Sequence, residues 1–285
     1  MTTVVATASP PPNRTATTEN FPVGSWLIPA PLRPTVAVFY RLARAADDIA
    51  DASALDAATK TARLKAIDHA LVTGNAEGDA PELGYALALK THFEERGLTL
   101  EHSRHLLQAF MADAVNRPCR SWSDLLAYCR YSANPVGRFL LDLHGEARET
   151  WTPSDALCTS LQILNHLQDC KDDYAKLTRL YVPLDWLEEA GLTPRALLGE
   201  RAAPELRKVL DRVLDRVDEL NRRAAELPGK VVNRGLRMES AVIVAVAHKL
   251  ARKLRRRDPI AGRVALSKLQ YGGALLRGAL RGLWR

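Results

Sequence analysis

A chain of 285 residues, 47% of them hydrophobic, can bury a sizeable core and fold as one large domain. Its formal charge of +7 permits nucleic acid, a membrane surface or an anionic substrate as partner, but no nucleic-acid motif accompanies that charge. Cys119, Cys129, Cys158 and Cys170 fall singly, without CxxC spacing, which argues against a zinc site and for buried thiols in a reducing, cytoplasmic compartment.

The opening MTTVVATASPPPNRTATTEN has neither the charged nor the apolar region of a secretory signal, so residues 1–18 are expected to form a disordered arm. One domain is expected over 19–270. ENFPVGSWLIPAPLRP leads into it, with Pro29, Pro31 and Pro34 ahead of a first helix from about Pro34 to Asp51. That helix closes on YRLARAADDIAD, an alanine-rich stretch in which Asp47 and Asp51 stand four residues apart. Helical patterns follow over about 55–73, 80–96 and 99–115. Ser121 with Asp124 three residues on reads as a capping box, and Asn134-Pro135 interrupts the next helical pattern and predicts a break. A long helix from Pro153 to about Leu177 contains QILNHLQDCKDDY, with Asp169 and Asp173 at the same four-residue spacing. RLYVPLDWLEEAGL then reads as a connection. Helices are expected again near 194–199, 203–227 and 230–255, with a last one from about Pro259. Sustained period-two alternation is missing, so the fold class is all-α, one bundle of roughly ten helices. No apolar run approaches the ~20 residues of a membrane span.

Side chains at i and i+4 share a helical face, so each aspartate pair projects two carboxylates in one direction. Taken alone, either pair reads more readily as a solvated acidic face; its recurrence inside a second apolar run favours a paired site. Two such helices facing each other would gather four carboxylates, which repel and need positive charge between them. Oxygen ligands select Mg²⁺ or Mn²⁺, and Mg²⁺ usually keeps sites for water and phosphate oxygens, which makes a diphosphate ester the natural substrate.

These stretches resemble the two aspartate-rich signatures of the squalene and phytoene synthase family: Tyr40, Arg44, Asp47 and Asp51 in the first, Gln162, Asn165, Asp169 and Asp173 in the second. YCRYSANPVG from Tyr128 and RLYVP from Arg179 resemble it too, and the match runs over about residues 18–270. The resemblance implies the isoprenoid synthase fold, helices around a central hydrophobic cavity capped by aspartates that bind Mg²⁺ and a prenyl diphosphate. Glu19 to Ser25, Ser132 to Gly137 and Asn165 to Tyr174 are most similar to the hydroxysqualene synthase branch of bacterial hopanoid biosynthesis, and Gln168 stands where head-to-head synthases usually show an arginine before the third aspartate.

That branch implies conversion of presqualene diphosphate and water to hydroxysqualene, without NADPH. The alternative within the family is head-to-head coupling of two prenyl diphosphates. By resemblance, Asp47, Asp51, Asp169 and Asp173 hold the metal, and Tyr128 stabilises the cation. Phe21, Tyr40, Arg44, Gln162, Asn165, Tyr181 and Arg263 line the substrate site. The lesser reading of Arg44 is an ion-pair partner of Asp47 or Asp48, while Gln162 and Asn165 read equally as hydrogen bonds between helices. His166 is left as a helix histidine outside the site, and Asp113, at a family acidic position, is unremarkable if exposed. The segment 271–285 places Arg277, Arg281 and Arg285 on one side and Leu276, Leu280, Leu283 and Trp284 on a neighbouring arc. It reads either as an amphipathic contact with an anionic membrane surface or as a final core helix with a basic outer side.

Overall fold

The structure, a computed structural model, describes residues 27–267. Phe21, the arm 1–18 and the segment 271–285 lie outside the described residues. Among those described there are eleven α-helices, nine of them ten residues or longer, and no strand.

Five helices build one half: α1 (Arg33–Asp51), α2 (Ala57–Thr73), α3 (Pro81–Glu94), α4 (Glu101–Ala114) and α6 (Asn134–Leu143). Their shared core stacks Phe39 on Phe139 at 4.0 Å between ring centres, with Phe93 5.4 Å from Phe139. The other half joins α5 (Trp122–Ser132), α7 (Trp151–Leu177), the short α8 (Leu184–Glu189), α9 (Pro204–Ala224), α10 (Leu227–Lys230) and α11 (Arg234–Arg256). In α9 the buried Leu206, Val209, Leu210, Val213, Leu214 and Val217 repeat at the three-four spacing that makes one apolar stripe. That stripe packs on α7 and α11.

Two junctions bring the halves close. The expected break at 134–135 is present: α5 ends at Ser132, and α6 begins at Asn134 with Pro135 in its first turn, where a missing N–H costs nothing. The buried Asn134 Oδ1 accepts the Thr159 hydroxyl of α7 at 2.9 Å. One turn on, a Cβ at Gly137 would stand 2.5 Å from Ser154 Oγ and 2.6 Å from Cys158 Sγ, so glycine is what lets α6 lie against α7. The helix expected over 230–255 is present as α11 but starts at Arg234, because Glu146 accepts the backbone N–H groups of Val232 and Asn233 and Asn233 caps α11. The segment 184–189, read as part of a connection, forms a short helix. No helix begins at Pro259 within the described residues. The chain from Asp258 folds back along α7 there, held by Gln168 Nε2 on the Val264 carbonyl and Lys171 Nζ on the Ile260 carbonyl.

The cavity lies between the halves. α1, α7 and α11 run the same way along it: Gly235 at the start of α11 lies against the Leu27 carbonyl just before α1, and α11 is tethered at Asn233 by Glu146 just before α7. Asp47, Asp51, Asp169 and Asp173 therefore collect at the end where α1 and α7 finish.

Candidate active site

A single cavity of about 590 Å³ runs down from those aspartates. Ile28, Val36, Phe39, Leu157, Leu161 and Leu236 give its body apolar walls, while Asp47, Asp51, Asp169 and Asp173 line its mouth. Of the residues expected from sequence, Tyr40, Arg44, Tyr128, Gln162, Asn165, Tyr181 and Arg263 also line it.

Each of the four aspartates faces a cationic or protonatable side chain of the protein itself. Arg44 reaches Asp47 at 2.9 Å and Asp48 at 2.5 Å, so its ion-pair reading holds in the free protein. Arg179 donates to Asp51 at 2.5 Å and to the Ala50 carbonyl at 3.0 Å. Arg263 lies 3.1 Å from Asp169. His166 Nδ1 stands 3.8 Å from Asp173, beyond a hydrogen bond. By contrast, Asp172 pairs with Lys176 on the exposed side of α7.

Arg179 owes its place to the end of α7. Thr178 takes a left-handed φ of 55°, which turns the chain so that Arg179 N–H caps the Asp173 carbonyl at 3.1 Å and its side chain folds inward. Left-handed backbone costs a threonine roughly 1–2 kcal/mol, strain of a kind found at functional sites. Burial works against the Arg179 charge, but Tyr181, Asp113 and Asp51 outweigh it and keep the guanidinium protonated.

Beneath the mouth sits a buried aromatic and acidic cluster. Asp113 is 9% exposed and accepts the hydroxyls of Tyr128 at 2.8 Å and Tyr181 at 2.9 Å. Burial raises the pKa of Asp113, and burial followed by neighbouring negative charge raises both phenols well above their usual range. Tyr128 and Tyr181 are therefore neutral hydrogen-bond donors. The His166 ring stacks on Tyr181 at 3.6 Å, and Gln162 Nε2 donates to His166 Nε2 at 3.1 Å.

The mouth is short of positive charge even so. Burial first, and then the charge of Asp51, push the Asp47 carboxyl up to about 7. Among the described residues no three His, Cys, Asp or Glu side chains gather closely enough to hold a metal ion unaided. The oxygen donors of Asp47 and Asp51 on one wall, and of Asp169 and Asp173 on the other, fit a hard divalent cation that shares its ligands with a second anion between the walls.

The arrangement is thus a charged mouth over an apolar chamber, and the family profile for squalene/phytoene synthase matches residues 14–270. The chain belongs to the squalene/phytoene synthase family. Its all-α architecture is the isoprenoid synthase fold. It is 41% identical over 254 residues to the hydroxysqualene synthase of Rhodopseudomonas palustris, covering 89% of this chain and 85% of that one. To the hydroxysqualene synthase of Sinorhizobium fredii it is 38% identical over 252 residues, 88% and 85% of the two chains. The crystal structure of squalene synthase HpnC from Alicyclobacillus acidocaldarius superposes with a TM-score of 0.72 at 31% identity, covering 85% of this chain and 90% of that one.

Besides the Arg179–Asp51 pair, three features of this squalene/phytoene synthase site escaped the sequence reading. Asp113 is not an exposed acid but the shared acceptor of two tyrosines. His166, set aside as a helix histidine, lines the cavity. Glu239 on α11 also lines it, 5% exposed and with no hydrogen bond or ion pair among the described residues. The signal for Glu239 was available, since it falls on the stripe of Leu236, Ile243 and Ala247, where an apolar residue belongs.

Proposed function

We propose that this protein is a hydroxysqualene synthase that converts presqualene diphosphate and water to hydroxysqualene and diphosphate. The observation that carries the reading is the single cavity in which carboxylates and guanidinium groups cap an apolar chamber. That combination suits a molecule with a diphosphate at one end and hydrocarbon at the other. The 41% and 38% identical relatives, both named hydroxysqualene synthase, support the choice of branch.

Asp47, Asp51, Asp169 and Asp173 would hold Mg²⁺ or Mn²⁺. A divalent cation there supplies charge that stabilises the departing diphosphate. Arg44, Arg179 and Arg263 donate charge-assisted hydrogen bonds to phosphate oxygens. Loss of diphosphate leaves a cyclopropylcarbinyl cation, which the faces of Tyr40, Tyr128 and Tyr181 stabilise without offering a ready nucleophile. Gln162 and Asn165 give the upper chamber polar groups that orient the intermediate and water. The apolar walls exclude other water, so capture is limited to one molecule.

No helix among the described residues is long and apolar enough to cross a membrane. The arginine and leucine pattern of 271–285 supports peripheral contact with an anionic lipid surface, where substrate and product both partition.

The test is purified protein with Mg²⁺, given presqualene diphosphate or farnesyl diphosphate, each with and without NADPH, with products identified by mass. Hydroxysqualene from presqualene diphosphate without reductant is the expected result. Squalene from farnesyl diphosphate and NADPH, with no alcohol, would replace this reading by head-to-head prenyl transfer.

A further inference from the structure

Capture of a carbocation by water forms a protonated alcohol, so something must take a proton from that oxygen. Tyr128 and Tyr181 are neutral phenols whose hydroxyls donate to Asp113, and a neutral phenol is a much weaker base than a carboxylate. Asp113 is in turn occupied by those two hydroxyls. Glu239 is different: its carboxyl is buried in the cavity wall with no protein partner among the described residues.

Its height in the cavity follows from α9, which runs opposite to both neighbours. Near one end of α9, Asn221 accepts the Ser160 hydroxyl of α7 at 2.6 Å. Near the other, Arg207 donates to the Leu254 carbonyl of α11 at 3.1 Å. Stepping back from Leu254 by the same helical distance reaches Ser240. Glu239 therefore stands level with the Cys158–Gln162 stretch of α7, about 14 Å along the axis below Asp169. Leu157, Leu161, Leu236 and Ile243 line the chamber around that level. With a diphosphate at the mouth, a carboxyl at this depth would face the reacting end of the hydrocarbon from the far side of the leaving group.

A buried carboxyl without a protein partner is solvated by water, which is costly to remove. When hydrocarbon fills the chamber, water on the apolar walls is displaced readily, whereas water hydrogen-bonded to Glu239 is not. We propose that Glu239 holds the water that captures the cation and accepts its proton. The water oxygen supplies the electron pair of the new C–O bond, one O–H bond breaks, and the proton passes to a Glu239 carboxylate oxygen. The products are neutral alcohol and a neutral carboxyl group, which returns the proton to solvent before the next turnover. Burial alone raises the Glu239 pKa to about 7, so near neutrality the group is available in the ionised form and is a strong enough base for the step.

This inference rests on the hydroxysqualene reading, and the experiment separates the two. Wild type, Glu239→Gln and Glu239→Leu are given presqualene diphosphate, with diphosphate release and organic products both quantified. The expected result is diphosphate release close to wild type in both variants, with hydroxysqualene per diphosphate falling at least about tenfold and olefins from proton loss taking its place. Glutamine, which still binds water, retains more alcohol than leucine. Unchanged alcohol per diphosphate in both variants would overturn the role and leave diphosphate itself as the base. Equal loss of diphosphate and alcohol would also overturn it, marking Glu239 as structural. A wild type that makes no alcohol at all removes the hydroxysqualene reading and this inference together.

Discussion

Asp47 and Asp173 sit on opposite walls of the mouth, and each keeps its shape when a carboxylate oxygen becomes an amide nitrogen. Asp47→Asn and Asp173→Asn are expected to lower turnover of presqualene diphosphate on the order of a hundredfold or more while far-UV circular dichroism stays unchanged. Wild-type rates in both variants would dispose of the four-carboxylate mouth. Glu239 gives a prediction that needs no substrate. Its pKa rises from 4.5 to about 7 on folding through burial, so the folded chain keeps a proton that the unfolded chain has lost. Stability therefore falls as pH rises from 4.5 to about 7 and stays lower above that. Glu239→Gln removes the loss and should stabilise the protein at pH 8 by on the order of 3 kcal/mol, and by nothing below pH 4, in urea melts at the two pH values. The aspartate pairs were legible in sequence because both members of each lie on one helix, four residues apart. Arg179 on Asp51 was not, because that bond joins positions 128 apart and depends on a left-handed turn at a threonine.

At the scale of elements, α6 and α7 approach closely only because residue 137 has no side chain. Gly137→Ala should cost on the order of 1–3 kcal/mol in chemical denaturation, and the added Ser154→Ala and Cys158→Ala changes should restore most of it by removing the atoms that the new Cβ meets. An undiminished midpoint in the single variant would show that the helices can separate freely. The Asn134-Pro135 break was readable because proline cannot donate within a helix, and the Ser121–Asp124 capping box because its spacing is local. The late start of the 230–255 helix, at Arg234, was hidden, since the group that holds the N–H groups just ahead of it is Glu146 on a distant loop. Gln168 was read only as a departure from family pattern. In the structure it fastens the returning segment that presents Arg263 to Asp169, a role set by the Val264 carbonyl almost a hundred positions away.

For the whole molecule, the membrane proposal predicts that deleting residues 274–285 abolishes co-sedimentation with anionic liposomes at low salt while activity in detergent persists. Truncated protein that pellets as well as the full chain would end that role. The pairing of Asp47, Asp51 and Asp169 with Arg44, Arg179 and Arg263 has a thermodynamic consequence. Those three pairs form an internal salt, and replacing them is a double decomposition. A divalent cation arriving alone would take carboxylates from arginines that have nothing else to bind. A diphosphate arriving alone would claim the arginines and leave the carboxylates bare. Together they would exchange ions with the protein, the cation taking carboxylates and the diphosphate taking guanidinium groups. Each should therefore raise the affinity of the other by the same factor, which calorimetric titration of Mg²⁺ with and without inorganic diphosphate measures. Equal Mg²⁺ affinity in the two titrations would mean that the arginines never let go. The exchange would also run backwards: with diphosphate and metal gone, the arginines would re-form their bonds with the aspartates, and the protein would return by its own electrostatics to the state that accepts the next substrate.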